Sequence, residues 1–573
     1  MNRAGPEESI HPLKAGWARV TAWFQRYGGP KRYAALAGIF IALAQPPFGF
    51  LPGLLGYAWL LWLLDRDLGP KPSRRAFAIG WWAGFTYFLV SCFWVAEAFL
   101  VDARSHGWMA PLAVTLLPSG IALFWGAALV LYRRFRPAGW SRWLYFAGLF
   151  CLFETLRGTI LTGFPWNPAG ATWQAGAPMS QIVSVTGIYG LSLITVTAFS
   201  SLAVSRLKGR EVWPVAVSVV LLAGVYGFGA MRLHTVQFGQ TDTLIRIVQP
   251  NVQQRAKWTA GALRGVFNDY VSMSKAPVDA QNLQLATKSV TKTHPDIVVW
   301  PEGALPASAD ALFSAQSWTA EGFSTLLKPD QALIMGAYHS DYMPEKGSVW
   351  RNALLVLQQK GPDTHVTASY SKFKLVPFGE FLPLESLLES FGFKQLVHIG
   401  DSYTAGPRTA PVEVENIDRF LPLICYEGLF PGLSSGLIPS AQPQARARWI
   451  VNISNDAWFG PTTGPRQHFN LSSFRAIEEG LPMVRSTPTG ISVVLDPLGR
   501  IVEGSKLDIG ESGYRDVWLP EAIKPTLYSV NRHSYLLFVV FFCLIPVLNT
   551  LFVRLANKPA PDNGQSGVKE TKP

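Results

Sequence analysis

Between Tyr33 and Met231 the chain returns repeatedly to apolar runs of bilayer-crossing length, and after residue 232 it does so once more. A helix needs about 20 mostly apolar residues to cross the hydrocarbon core. The runs lie at 33–48, 51–65, 77–99, 109–132, 143–160, 180–204, 213–231 and 535–554. The first two are short, and the Pro-rich turn Gln45-Pro46-Pro47-Phe48-Gly49 between them predicts a tight hairpin or a partly re-entrant pair. Such a chain cannot fold around one soluble core. The expected architecture is a polytopic α-helical membrane bundle of about eight spans, with a separate domain inserted before the last span.

Charge placement orients this bundle. Lys14, Arg19, Arg26, Lys31 and Arg32 precede the first run; Arg66, Lys71, Arg74 and Arg75 follow the second; Arg133, Arg134, Arg136 and Arg142 follow the fourth. Arg206, Lys208 and Arg210 follow the sixth, and Arg554 and Lys558 follow the last. The alternate loops carry little beyond Arg104 and Arg157. Loops rich in Lys and Arg stay in the cytoplasm, so residues 232–534 are expected outside and both termini inside. Composition agrees: only 15% of residues are charged and 49% are hydrophobic, against roughly 25% charged in a soluble domain. The net charge of +12 is spread over these loops and forms no basic face, which argues against nucleic-acid binding. Glu97 and Glu154 lie near or within runs and are expected to face the bundle interior or an interface. The first apolar run starts late and lacks a clear cleavage site, so it reads as a retained anchor.

Residues 243–520 have another texture. Leu244–Val248, Ile297–Trp300, Ala332–Met335, Ala353–Leu357, Leu421–Cys425, Trp449–Ile453 and Ile491–Leu495 are short apolar or β-branched runs bounded by turn residues, as buried strands are. Helix-like stretches such as Gly261–Ser274 and Phe469–Glu479 lie between them. Strands alternating with helices predict an α/β layered domain. The organisation expected is a cytoplasmic segment 1–32, a seven-span bundle 33–231, an external domain 243–520, a last span 535–554 and a disordered cytoplasmic tail 558–573.

Three segments of this domain end an apolar strand on a reactive side chain: Val298-Val299-Trp300-Pro301-Glu302, Tyr370-Ser371-Lys372, and Leu423-Ile424-Cys425-Tyr426-Glu427. A carboxylate, an ammonium and a thiol in one cleft form a complete set for acyl transfer: base, cation and nucleophile. Each alone is weak, since a cysteine after a strand is usually a packed small hydrophobe. Of the four cysteines, Cys92, Cys151 and Cys543 fall in apolar runs, which leaves Cys425 without a disulfide partner in the domain. No Cys/His spacing suggests a metal.

Taken together the three segments resemble the Glu–Lys–Cys triad of the nitrilase superfamily. The longer strings Lys374-Leu375-Val376-Pro377-Phe378-Gly379-Glu380-Phe381-Leu382-Pro383, Ser454-Asn455-Asp456-Ala457-Trp458-Phe459-Gly460, and Val248-Gln249-Pro250-Asn251 followed by Lys257-Trp258 are similar to signatures of the apolipoprotein N-acyltransferases. Lys374 stands where that family has His, and Gly303 where Thr or Ser is frequent. The resemblance implies an αββα nitrilase-like sandwich for 243–520. It makes Glu302 the general base, Lys372 the oxyanion and thiolate stabiliser and Cys425 the nucleophile, supported by Glu380, Tyr426 and Glu427. Trp258 and Trp458 become aromatics at the mouth of the site; His468 and Arg466, read as part of a loop, receive no catalytic role. It implies no metal and no organic cofactor. It also implies a membrane phospholipid as acyl donor, a diacylglyceryl apolipoprotein as acceptor, a thioacyl-cysteine intermediate, and a catalytic domain on the periplasmic side of the bacterial inner membrane. The rival enzymatic reading is a membrane-bound amidase that passes the acyl group to water. A transporter or adaptor with a degenerate domain is a third, and the intact triad argues against it. Loop 455–468 and the stretch Phe381–Phe393 are candidate lids.

Overall fold

A computed structural model describes residues 29–556 except 67, 138, 206–211, 258, 260, 280–282, 284–291, 315–316, 346, 382–401, 409 and 434–445. The amino-terminal half is helical: Pro30–Leu43, Gly56–Asp65, Pro72–Ser91, Ala110–Phe135, Ser141–Arg157, Val183–Ser200 and Trp213–Thr235 follow in order, and Ser534–Ala556 returns to the bundle after the inserted domain. Ser534–Ala556 packs on Ser141–Arg157, where Phe542 and Cys543 close over Gly148.

Among the described residues, three helical stretches are long and apolar enough to cross a membrane, Ala103–Phe135, Pro178–Ala203 and Trp213–Thr235. Leu51–Asp65 and Ser534–Thr550 are apolar but shorter. Two expected spans are interrupted. The run 77–99 stops as a helix at Ser91, turns through Cys92–Trp94 and resumes as Val95–Leu100. The run 180–204 opens on the 3-10 turn Pro178–Ile182 and breaks again where Gly187 leaves the helical region. Hydropathy sums over both breaks because Phe93, Trp94 and Ile188 are as apolar as the helices they separate. Glu154 is buried, taking an N–H from Trp125 at 2.8 Å and pairing with Arg157 at 2.5 Å. This is the inward-facing paired carboxylate expected inside a bundle. Glu97 lies against the turn at Gly460, at the junction with the inserted domain.

The inserted domain is a two-sheet sandwich. The six-stranded sheet runs β11-β1-β2-β3-β4-β5, with β1 (Gln240–Gln249), β2 (Ile297–Val299), β3 (Ala332–Met343), β4 (Gly347–Lys360), β5 (Asp363–Ser371) and β11 (Gly513–Pro520). The five-stranded sheet runs β10-β9-β8-β7-β6, with β6 (Val412–Val414), β7 (Ile417–Ile424), β8 (Trp449–Ile453), β9 (Met483–Ser486) and β10 (Val493–Leu495). In each sheet three neighbouring strands are parallel, β1-β2-β3 and β7-β8-β9, and the flanking pairs are antiparallel. Parallel strands covered on both faces read as unbroken apolar runs, and Val298-Val299 and Trp449–Ile453 do so.

Ile245, Ile247, Val299, Ile334 and Val356 of one sheet meet Phe420, Trp449, Val451, Ile453 and Val494 of the other to form the inner core. Helix Ala262–Lys275 covers the outer face of the six-stranded sheet, setting Phe267 and Tyr270 against Trp300 and Met335. Helix Gly464–Glu479 covers the other outer face, completing the αββα order. Beyond that helix there is no solvent gap. Leu421, Leu423, Ile450 and Met483 share one continuous apolar cluster with Tyr57, Trp166 and Leu191 of the bundle. The domain is therefore welded to the bundle along one face. Arg246 of β1 and Asp516 of β11 form a fully buried pair at 2.7 Å between neighbouring strands.

Candidate active site

Strand β2 ends at Val299, β5 at Ser371 and β7 at Ile424, so Glu302, Lys372 and Cys425 all stand just beyond strand ends, two on one sheet and one on the other. Ligand sites of α/β sheets gather at such ends. Gly336 of β3 is what lets the Glu302 turn come this close: a Cβ there would stand 2.5 Å from Glu302 Cα. Gly303 has φ +50°, a left-handed backbone that glycine adopts without cost. That accounts for glycine at a position where the resemblance leads one to expect Thr or Ser.

Lys372 Nζ is buried and donates to Glu302 Oε1 at 3.1 Å and to Glu380 Oε1 at 2.9 Å. Asn352 of β4 donates from Nδ2 to the same two oxygens, at 2.7 and 2.9 Å. Glu302 Oε2 accepts the backbone N–H of Asn455 at 2.8 Å, and Glu380 Oε2 that of Val376 at 2.8 Å. The two carboxylates are thus held apart by a cation and an amide, with every donor in place, as buried charges require. Burial alone would lower the Lys372 pKa, but Glu302 and Glu380 outweigh it and hold the ammonium well above the usual lysine range. Lys257, also buried beside Glu302, is pulled down to about 8 by burial against the opposing carboxylate.

Cys425 sits in the field of this cluster. Burial pushes its thiol up to about 12, the Glu302 carboxylate adds to the rise, and Lys372 opposes both. The resting group is therefore the thiol. Its backbone has φ +50°, an uncommon conformation for a side-chain-bearing residue and one that gathers at functional sites. For a small neutral alkylating agent, the reaction rate at Cys425 is expected to climb about tenfold per pH unit from 7 to 10, because only the thiolate fraction reacts below the pKa. Iodoacetamide labelling followed by peptide mass spectrometry checks this. A plateau above pH 8.5, where an ordinary thiol is ionised, would contradict it.

Glu427 lies behind Cys425. Its Oε1 accepts from the Tyr370 hydroxyl at 2.7 Å and from the Phe373 and Lys374 N–H groups at 2.8 and 3.1 Å; its Oε2 accepts from the Ile424 N–H at 2.7 Å. One buried carboxylate thereby ties the strand end before Cys425 to the segment bearing Lys372. Glu427→Gln replaces an acceptor oxygen with an NH2 that faces donors. It is expected to lower stability by about 1–3 kcal/mol, read as a lower unfolding temperature of the detergent-solubilised chain together with slower acylation. An unchanged unfolding temperature would contradict the stapling role.

Tyr426 points away from the cluster and donates its hydroxyl to the Gly163 carbonyl of the bundle at 2.8 Å. Trp458 lies 40% exposed on the turn Asp456–Phe459, close in sequence to Asn455. Trp258 lies outside the described residues. Much of the candidate lid 455–468 is packed against its surroundings. Asp456 is buried, Phe459 packs on Trp94 and Trp166, and helix Gly464–Glu479 has begun. The other lid candidate, Phe381–Phe393, lies almost wholly outside the described residues. Arg466 is half exposed and stands 3.9 Å from Asp508.

His468 departs from the sequence reading. It belongs to that helix rather than to a loop, is fully buried, and places Nε2 3.2 Å from the carbonyl oxygen of Cys425. Sequence reasoning did not single out Asn352, Asn455, Asp456 or Arg485, and it named His468 only to give it no role. The one available signal was the string Ser454–Gly460, which carries two of them. Among the described residues no cluster of His, Cys, Asp or Glu suits a metal ion.

A thiol at a strained strand end, beside a carboxylate–ammonium–carboxylate cluster in an αββα sandwich, defines a nitrilase-type catalytic domain, here joined to a helical bundle. Comparison with known proteins agrees on both halves. Residues 248–517 match the carbon–nitrogen hydrolase family, and residues 37–203 match the apolipoprotein N-acyltransferase N-terminal domain. An apolipoprotein N-acyltransferase of Caulobacter vibrioides is 44% identical over 503 residues, 88% of this chain and 91% of the relative. Those of Rhodopseudomonas palustris and Brucella melitensis are 36% and 34% identical, each over 87% or more of this chain and 90% or more of the relative. The chain belongs to the apolipoprotein N-acyltransferase family.

Proposed function

We propose that this membrane enzyme N-acylates lipoproteins in two steps through Cys425. In the first, Glu302 accepts the thiol proton as Sγ attacks an acyl ester carbonyl of a membrane phospholipid. The carbon–oxygen ester bond breaks, the lysophospholipid alkoxide takes the proton back from Glu302, and a thioester remains on Cys425. In the second, the free α-amine of a diacylglyceryl-modified N-terminal cysteine attacks that thioester. The amide forms, the amine loses a proton to Glu302, and the thiol is restored. Lys372, charged throughout, stabilises the oxyanion of both tetrahedral intermediates, and Glu380 holds Lys372. Dividing one transfer into two easier ones is the gain of a covalent intermediate. No step calls for a metal or an organic cofactor.

The observation that carries this reading is the buried Glu302–Lys372–Glu380 cluster around Cys425 in a chain whose relatives are named for apolipoprotein N-acylation. The same triad in an amidase would pass the acyl group to water. The apolar weld between domain and bundle favours substrates that stay in the membrane.

The same reading places the chain in the bacterial inner membrane with about eight spans: seven at 33–231 and one at 535–554. The catalytic domain 243–520 is then periplasmic, and segments 1–32 and 558–573 are cytoplasmic. The wide apolar surfaces of Trp213–Thr235 and Ser534–Ala556, with Val219, Val220, Leu537, Phe541 and Leu548 half or more exposed, support lipid contact. The test is to incubate the full-length chain with phospholipid and a diacylglyceryl lipopeptide bearing a free amine. The expected product is the lipopeptide heavier by one acyl group on its N-terminal nitrogen. Free fatty acid with unmodified lipopeptide would overturn the proposal in favour of the hydrolase.

A further inference from the structure

Next to Cys425 lies a buried polar cluster that the mechanism does not use. Asp456 is held by Arg485 Nη2 at 2.8 and 3.0 Å and by the Ser454 hydroxyl at 2.7 Å. Arg485 also donates to the side chain of Asn452, which itself holds the Leu423 carbonyl at 3.0 Å. His468 completes the cluster, with Nδ1 2.9 Å from Asp456 Oδ1 and 3.2 Å from Arg485 Nη2. Its other nitrogen faces the Cys425 carbonyl. A carbonyl only accepts, so Nε2 carries the proton of that contact.

We propose that His468 is a positioning residue that fixes the peptide plane following the nucleophile, and that Trp166 of the bundle holds His468 in place. The inference rests on Cys425 being the nucleophile. In a planar trans peptide the carbonyl of one residue and the N–H of the next point in opposite directions. Drawing the Cys425 carbonyl toward His468 therefore aims the Tyr426 N–H the other way, toward the cleft, where it can serve as the second oxyanion donor beside Lys372. The same contact opposes relaxation of the Cys425 backbone from φ +50°. Glu427, holding the Ile424 N–H from the preceding side, braces the nucleophile from the other end.

His468 is in turn held by the bundle. The Trp166 ring stacks on the imidazole at 5.8 Å between centroids with 23° between planes, and its Nε1 donates to Gln467 Oε1 at 2.8 Å. Gln467 also donates to the Pro46 carbonyl of the first turn of the bundle at 3.1 Å. Trp166 is fixed below by Arg157, whose guanidinium donates to the Trp166 carbonyl at 2.8 Å and pairs with the buried Glu154. The line from Glu154 through Arg157, Trp166 and His468 to Cys425 gives the bundle a part in the chemistry besides anchorage: the catalytic geometry is finished by a side chain from the membrane half.

The test is a single-turnover measurement of Cys425 acylation by labelled-acyl phospholipid, using the full-length chain in mixed micelles and a range of donor concentrations. His468 is fully buried and reaches Cys425 only at its backbone carbonyl. Its loss should leave the half-saturating donor concentration unchanged and lower the limiting acylation rate about 10- to 100-fold, the scale of a misplaced reacting group. His468→Gln, whose amide nitrogen can reach the Nε2 position, should recover most of the rate. His468→Asn, whose amide reaches only the Nδ1 position, should not. Trp166→Ala should behave like His468→Asn, and Trp166→Phe, which keeps a stacking ring, should retain more. Asn acylating as fast as Gln, or a change confined to donor half-saturation, would overturn the inference. Should His468→Ala fail to fold, the Gln–Asn comparison still decides. Label persisting on Cys425→Ala would instead overturn the underlying assignment of the nucleophile.

Discussion

Replacing Cys425 with Ala is expected to abolish acyl-enzyme formation and to lower N-acyl transfer on the order of 10^6-fold, the scale seen when the nucleophile of a covalent mechanism is removed. The effect should be this large because, among the described residues, the neighbouring hydroxyls are engaged elsewhere. Ser454 donates its hydroxyl to Asp456, Tyr370 donates to Glu427, and Tyr426 is turned toward the bundle. Water could attack in place of the thiol, but the acyl group would then go to water and not to an amine. The variant should keep its fold, since Cys425 fills little volume and its backbone is held from Ile424 by Glu427 and at its own carbonyl by His468. Lipopeptide acylation followed by mass spectrometry, with the unfolding temperature as control, reads both. Transfer at a tenth of the wild-type rate by well-folded Cys425→Ala would remove the thioester from the mechanism.

Lys372→Met is expected to be nearly as damaging, and for two separable reasons. Chemically, it removes the cation beside the oxyanion, and a single oxyanion donor contributes about 10^2- to 10^3-fold in rate. Electrostatically, it leaves Glu302 and Glu380 facing one another across the Asn352 amide with no charge between them. Two carboxylates left without their shared cation disturb the geometry in which Glu302 is held, and the combined loss should reach about 10^4-fold. Removing one member of a buried ion cluster also costs about 3–5 kcal/mol of stability, visible in thermal unfolding. Lys372→Arg should not rescue, because a planar fork cannot replace a compact ammonium between two carboxylates. Wild-type acylation by Lys372→Met at neutral pH would contradict the role assigned to the cation.

The strands that end at Glu302 and Cys425 were legible in the sequence because they are interior and have parallel partners, whereas β5, which leads to Lys372, was not. Val298-Val299 and Leu423-Ile424 are apolar on both faces and end at a break in the pattern. The strands that escaped notice break the apolar code for physical reasons. β11 carries Asp516 because Arg246 of β1 lies opposite to neutralise it, β9 carries Arg485 for the Asp456 cluster, and β5 is a half-exposed edge strand with mixed residues. A charged residue looks like a surface residue until its partner is known, and both partners here are remote in sequence. The same reason hid His468, whose neighbours Asp456, Arg485 and Trp166 come from three separate stretches. Asn352 was hidden differently: an amide just ahead of the apolar run of its strand has no sequence signature, and its role appears only when β4 brings it between Glu302 and Glu380. In the bundle, hydropathy found the apolar runs and missed their breaks at Cys92–Trp94 and Gly187, since the residues at and beside the breaks are as apolar as the helices they separate.

The central claim is that Cys425 carries an acyl group from a phospholipid to an amine. Its most direct test is a chase of the trapped intermediate. The full-length chain, incubated with labelled-acyl phospholipid and freed of excess donor, should hold hydroxylamine-sensitive label on the peptide containing Cys425. Adding a diacylglyceryl lipopeptide with a free N-terminal amine should move that label onto the lipopeptide, and adding the same lipopeptide with its amine blocked should not. Label that leaves only as free fatty acid, at the same rate with or without the free amine, would contradict the account.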